Sequence, residues 1–454
     1  MTKHLMLGIA ALALSAGLAH AQDLKFAPGS DADKFDWASY DQFKNDTDLS
    51  GETLTITGPW TGNDKALFES VLAYFSAATG AKVNYSGSES FEQDIVIAAK
   101  AGTPPNIAVF PQPGLASDMA KQGYLTAMPD GTGDWIKNNY AAGKSWEDLS
   151  TYKGKDGENH TFTFPFKADL KSLVWYVPEN FKEAGYKVPE TMEDLKALTE
   201  QIKADGGTPW CIGLGSGAAT GWPATDWVED FMLRTQSPET YDDWVTNKLK
   251  FNDPKVVEAI KDYGWFAKTP GFAEGGEQAV ATTDFRDSPK GLFDFPPKCY
   301  MHKQASFIPT FFPDGTKVGQ DVNFFYFPSY ASKDLGKPVL GAGTMFGITK
   351  DSKAAEAFVK FLETPIASEI WMAQSGFLTP NKNVNPAAFA NDVQRHMNSI
   401  LLDATTFRFD GSDQMPGEIG TDAFWKAMVA YTTGDETAQE AADAVQKRWD
   451  SIQK

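Results

Sequence analysis

Few of the polar side chains in this 454-residue chain are spaced for catalysis or for a metal. The stretch GPWTGND, ending at Asp64, joins a strand-like to a helix-like segment, where a nucleotide-binding protein keeps its phosphate loop. It carries Trp60 and lacks the lysine such a loop needs. The glycine-rich GSGAATGWPATDW also lacks a Lys-Ser/Thr pair. DTDLSGETLTIT begins like a calcium loop, with Asp46, Asp48, Ser50 and Gly51, but has Thr57 where a glutamate is required. His160, His302 and His396 lie far apart and lack zinc-ligand spacing. No metal and no cofactor is expected. There is no G-x-S-x-G elbow, and 60 acidic residues make any glycosidase-like carboxylate pair unremarkable. Cys211 and Cys299 are expected to form a disulfide closing a loop of roughly 90 residues; the alternative is two buried thiols.

The elements that must position such side chains follow an export signal. Lys3 and His4 precede an apolar run over 5–19 that ends in Ala19-His20-Ala21. Residues 1–21 read as a secretory signal cleaved before Gln22, and the run is too short to be a stable membrane span. No cysteine adjoins the cleavage point, so the mature chain is expected free in the periplasm, without a lipid anchor. A net charge of −19 repels nucleic acid and anionic lipid, so neither is an expected partner. About 430 residues exceed one compact core and suit two domains.

Residues 22–50 are polar with Phe35, Trp37, Tyr40 and Phe43, and read as an extension that docks its aromatics on a neighbouring surface. TLTIT, AKVNY and NIAVF read as strands alternating with helices, which implies a mostly parallel sheet with ligands at the carboxyl ends of its strands. Asn63 or Asp64 is expected to cap the first of these helices, and Ser90 to Gln93 to form a capping box on the second. In a second α/β set, Thr191 caps a helix, Pro254 starts another at its first position, and Thr421 caps the first of two terminal helices.

These motifs together resemble the periplasmic sugar-binding proteins of bacterial ABC importers, most closely the alpha-glucoside-binding branch. The resemblance rests on LTITGPWTGND, AKAGTPPNIAVFPQPG, MAKQGYLTAM, FPFKADLKSLVWYVPENFKEAGYKVPETMEDL, GWPATDWVEDFMLR, GAGTMFGITKDSKAAEAFVKFL, MAQSGFLTPN and DQMPGEIGTDAFWKAM, in that order. It implies an α/β, two-lobe periplasmic binding protein fold with a three-segment hinge and a ligand cleft between the lobes. The expected division is 51–166 with 307–380 in the first lobe, and 167–306 with 381–454 in the second. It also implies an oligosaccharide ligand, lobe closure, docking onto permease subunits in the inner membrane, and action as a monomer.

A sugar presents hydroxyls at its rim and C–H groups on its faces, so its site needs aromatic plates and bidentate polar groups. Trp60 offers a plate, with Asn63 and Asp64 as rim partners. Glu89 follows the second strand and Gln112 the third, where similar maltodextrin binders carry an aromatic and an acid. Asp169 matches a family ligand-binding acid by its spacing to SLVWY, and Lys167 lies on the same side of the strand. Trp222 is a second plate, while Trp227 is expected in the core. By resemblance Phe307 stands against the sugar, with Phe311 nearly as good a choice. Gly343, Thr344 and Met345 bring backbone amides to the cleft. Arg408, Asp410 and Trp425 complete the set, Trp425 by its match to a stacking position.

Rival readings are a receptor for an amino acid, peptide or polyamine, with Arg408 holding a carboxylate, and a secreted glycosidase. The many tryptophans near these loops favour the sugar.

Overall fold

The computed structural model describes residues 24–374, 376–403 and 406–452. The expected signal segment 1–21 lies outside the described residues. Strands are β1 (Thr53–Gly58), β2 (Lys82–Gly87), β3 (Ile107–Phe110), β4 (Thr151–Lys153), β5 (Asn159–Thr161), β6 (Thr163–Leu170), β7 (Leu173–Tyr176), β8 (Met301–Lys303), β9 (Asn323–Tyr326), β10 (Val339–Ile348) and β11 (Phe407–Phe409).

A six-stranded sheet runs β11-β10-β3-β1-β2, with β6 on the other side of β10. β1 pairs in parallel with β2 and β3, as strand–helix alternation implies, and β10 enters antiparallel to β3 and β6. β7 lies between β8 and β9 in a separate three-stranded sheet. The chain changes sheet between Leu170 and Leu173, returns between Tyr326 and Val339, and leaves again after Phe409. The expected crossings stood at 166/167, 306/307 and 380/381.

Two large cores are buried, and β7 and β10 contribute to both, with Trp175 and Phe346 in the first and Val174 and Leu340 in the second. Leu54, Ile56, Phe68 and Phe346 belong to the first, and Trp210, Trp227, Phe231 and Tyr263 to the second. The aromatics of the extension are buried in the first core: Trp37 and Tyr40 pack on Tyr74, and Phe43 on Phe75 and Phe361. Glu369 ties the extension down by accepting the Asp36 amide at 2.7 Å.

Local signals set several helix ends. Thr191 and Asp194 form a reciprocal capping box, and Asp253 accepts the Lys255 amide ahead of the helix begun by Pro254. Others are set differently. The helix Gly62–Thr79 starts after Thr61, with neither Asn63 nor Asp64 as its cap. Ser90 makes no cap bond; Ser88 Oγ accepts the Ser90 amide and donates to Asp94. Thr421 falls inside the widened turn Ile419–Phe424 and donates to the Gly417 carbonyl.

Cys211 and Cys299 form a disulfide, with Cα atoms 5.4 Å apart. Among the described residues no helix is long and apolar enough to cross a membrane.

Candidate functional site

A gap in strand pairing creates the site. β11 pairs with Val339–Gly341 and β3 with Met345–Ile348 on the same side of β10. Ala342, Gly343 and Thr344 lie between them with no partner strand on that side, while β6 holds the other. The segments leaving β1, β2 and β3 diverge at this edge, and a cavity lies where they part, as ligand clefts do at the carboxyl ends of strands.

The segments after the parallel strands line it with Trp60, Thr61 and Asp64 after β1, Glu89 and Glu92 after β2, and Gln112 after β3. β6 and its continuation add Lys167, Asp169 and Lys171. Trp222, Phe285, Arg286 and Trp425 line it from segments beyond the first change of sheet. Phe307, and Asp410 and Asp413 beyond β11, complete the wall.

Three aromatics form one side. Trp222 meets Phe285 edge to face at 5.0 Å and Phe307 at 6.0 Å. Lys171 Nζ lies 5.2 Å from the Trp222 ring and Lys167 Nζ 5.3 Å from that of Phe307. Such faces match the C–H side of a pyranose. Trp60 also lines the cavity, but its ring is enclosed by Phe68 at 4.8 Å and Trp371 at 4.9 Å. It is therefore as much a core residue as a plate.

Polar atoms without partners face the aromatics' problem in reverse. Among the described residues Asp64 Oδ1, Gln112 Oε1, Thr344 Oγ1 and Trp425 Nε1 are buried and have no hydrogen-bond partner. All four residues line this one cavity. The Thr310 hydroxyl donates to the Phe307 carbonyl at 2.9 Å and also acts on the Asp64 carboxyl, leaving Oδ1 the unpaired oxygen. A buried polar atom left unpaired costs about 1–3 kcal/mol, so four in one cavity mark a place for a ligand rich in hydroxyls. Burial pushes Asp64 up to about 6; Asp169 raises it further, and Lys167 and Arg286 pull it down.

Ion pairs hold the floor. Lys167 Nζ donates to Asp169 Oδ1 at 2.5 Å, and both side chains are buried. Burial pushes the Asp169 carboxyl up against the pull of Lys167. Lys171 Nζ donates to Asp226 at 2.7 Å and also to Asp410. Asp226 is pushed up to about 8 by burial, against Lys171. Burial also raises Glu229 well above the carboxylate range, and the charges of Asp410 and Asp226 add to it. Burial pushes Asp410 up, but the charge and hydrogen bond of Lys171, with the Asp413 amide, together hold it below its ordinary value. Asp226, Glu229 and Asp410 lie close enough to share a cation, and the Lys171 ammonium supplies that charge.

Three expected ligand residues lie outside the cavity lining. Asn63 is exposed and donates to the Thr310 carbonyl at 2.7 Å. Met345 is turned into the core, where its sulfur accepts from Thr163 at 3.5 Å, because it pairs with Phe110 and Pro165 beyond the gap. Arg408 forms a two-pronged pair with Asp242, at 2.7 and 3.0 Å, on the outer side of β11. Gly343 does line the cavity, but a Cβ there would meet the Lys167 carbonyl at 2.7 Å and Trp146 at 3.4 Å, so glycine is required by strand packing. Sequence reasoning missed Glu92, Lys171, Phe285, Arg286 and Asp413. Glu92 lies inside the expected capping box, Lys171 inside FPFKADLKSLVWY and Asp413 at the head of DQMPGEIGTDAFWKAM; nothing in the sequence marked Phe285-Arg286.

Known proteins are similar to this chain in sequence and in fold. Residues 58–369 match the family described as bacterial extracellular solute-binding protein. The chain is 60% identical, over the full length of both, to the alpha-glucosides-binding periplasmic protein AglE of Rhizobium meliloti. It is 36% identical to the osmoprotective compounds-binding protein GgtB of a Synechocystis species, covering 88% of this chain and 93% of that one. Solved structures share the two-lobe fold. The bacterial solute receptor AcbH superposes with a TM-score of 0.75 at 20% identity, covering 89% of this chain and 100% of the other. Maltose-bound MalE3 of T. maritima superposes at 0.68 and 15%, covering 88% and 100%. The chain belongs to the bacterial extracellular solute-binding proteins, and its role is that of the substrate-binding component of an ABC importer rather than of an enzyme.

Proposed function

We propose that the protein is a periplasmic receptor for an alpha-glucoside of maltose, trehalose or sucrose type, delivered to the permease by lobe closure. The observation that carries this reading is the single cavity combining an aromatic wall of Trp222, Phe285 and Phe307 with four unpaired buried polar atoms. A disaccharide satisfies both at once: its C–H face covers the rings, and its hydroxyls pair with Asp64, Gln112, Thr344 and Trp425. The relative AglE, whose name states alpha-glucosides, supports the same class. Arg408, the arginine named for the amino-acid reading, is engaged with Asp242, and Arg286 in the cavity wall is engaged with Asp284 and Glu89.

The ligand touches groups of both lobes only when these are closed, so binding shifts the population to the closed form that the permease reads. The ligand residues in this reading are Asp64, Gln112, Asp169, Trp222, Phe307, Thr344 and Trp425. The lobes divide where the chain changes sheet. The mature chain begins at Gln22, carries no lipid and acts as a monomer.

Calorimetric titration of the mature protein with maltose, trehalose, sucrose, glucose and mixed amino acids tests the reading. One-to-one binding of a disaccharide, recovered intact, is the expected result. Heat with amino acids alone would reject it.

A further inference from the structure

Arg286 is the one basic residue of the cavity wall brought to it by the second lobe's loop rather than by β6 and its continuation. Its loop is fixed to that lobe: the Phe285 amide donates to the Gly215 carbonyl at 2.9 Å, and the Gly215 amide to the Thr283 carbonyl at 2.9 Å. The guanidinium lies 4.5 Å from the Phe285 ring, and Nη1 pairs with Asp284 at 3.1 Å within the same loop. It then reaches across the cleft. Nη1 lies 3.1 Å from Glu89 Oε1, after β2, and Nη2 donates to Thr61 Oγ1 at 3.4 Å, after β1. Gly217 of the second lobe presses on the same glutamate: a Cβ there would come within 3.1 Å of the Glu89 Cβ, and its φ is +56°.

We propose that Arg286 is a positioning residue that latches the two lobes together at the cavity rim through Glu89 and Thr61, and so sets how long a captured ligand stays. This gives Glu89 a role other than ligand contact. Asp284 and Phe285 hold the guanidinium in place when the lobes part, so little side-chain entropy is lost when the latch engages. Glu89 and Arg286 are partly open to solvent, at 47% and 22% exposure, so the latch is weak enough to release for the permease. The inference rests on the lobe-closure reading and not on the identity of the sugar.

Two measurements test it on the full mature chain. In stopped-flow fluorescence with maltose and trehalose, Arg286→Ala is expected to raise the dissociation rate about fivefold with an unchanged association rate, the size of one partly exposed pair. Glu89→Gln should do the same, and the double variant should be no worse than either single one. Spin labels on the two lobes of ligand-free protein should show a smaller closed fraction in both variants. An unchanged dissociation rate in Arg286→Ala, or single effects that add in the double variant, would overturn the latch. So would a closed fraction insensitive to both substitutions. That label measurement needs no sugar, so failure of both disaccharides to bind rejects the ligand class while the latch is still decided. Should Arg286→Ala not fold, Glu89→Gln reads the same pair from the opposite lobe.

Discussion

Lys171 and Asp410 form one buried ion pair that joins the first crossover to the third. Lys171 is the residue after β6 and Asp410 the residue after β11, 239 positions apart. Asp226 completes the pair from the helix Trp222–Thr235. A lysine among buried acids is retained by their charge, which lifts it well above its ordinary range despite the opposing effect of burial.

Lys171→Met should therefore destabilise the ligand-free protein by about 3–5 kcal/mol, because it leaves the Asp410 carboxylate buried without its counter-charge. Denaturant unfolding measures this. Asp226→Asn should cost less, since Asp410 still answers the lysine. A Lys171→Met protein as stable as the parent would show that Asp410 is neutral in the variant.

Trp222 and Trp425 should separate affinity from stability. Trp222 is half-buried at the start of its helix, whereas Trp425 is 2% exposed. Trp222→Ala is expected to weaken disaccharide binding by roughly tenfold to a hundredfold with little change in Tm, the loss of one stacking face. Trp425→Ala should lower both, by about 3–5 kcal/mol in stability. Calorimetry and thermal melts of the two variants check the split.

Asp169→Ala follows the second pattern. An acid serving the ligand alone would leave the melting temperature untouched. Here its carboxylate also answers the buried Lys167, so its removal should lower Tm together with affinity. Asp169→Asn, which keeps an acceptor, should be milder in both.

Asp64 predicts a pH dependence. Its native value of about 6 lies above the ordinary 3.8, so between these values the native state holds more protons than the unfolded one. Its contribution to stability is then fullest below about pH 4 and is lost, by up to roughly 3 kcal/mol, as pH rises through 6. A ligand hydroxyl donating to Asp64 favours the carboxylate. Disaccharide affinity should accordingly rise from pH 5 to 7, with a proton released on binding near pH 6. Titrations in buffers of different ionisation heat measure that proton, and Asp64→Asn should abolish it.

The disulfide closes a loop of 88 residues, which on the chain-entropy model is worth about 4–5 kcal/mol. Cys211→Ser with Cys299→Ser should lower Tm in the absence of reductant, and reductant should have no further effect on that variant. The bridge ties the segment entering Gly213 and Gly215 to the segment before β8, and Gly215 holds the loop of Phe285 and Arg286. Its loss should therefore also weaken binding.

By itself the sequence determined what depends on neighbours along the chain. Strand alternation, the Thr191 box and the Asp253-Pro254 start are of this kind, because a cap, a turn or a period of two acts within a few residues; the Cys211–Cys299 pair was legible for another reason, an even count of two in an exported chain. So are the segments at the carboxyl ends of β1, β2 and β3, which delivered Trp60, Asp64, Glu89 and Gln112 to one cavity. Only the tertiary structure decided which of these side chains were free for a ligand. Asn63 was taken by a carbonyl 247 residues away, and Arg408 by Asp242, 166 residues away. Trp60 was enclosed by Trp371 from a distant helix. Arg286 and Phe285 entered the wall through a loop with no motif of its own. A side chain's availability is set by whatever partner packing brings to it, and partners that far along the chain leave no local trace.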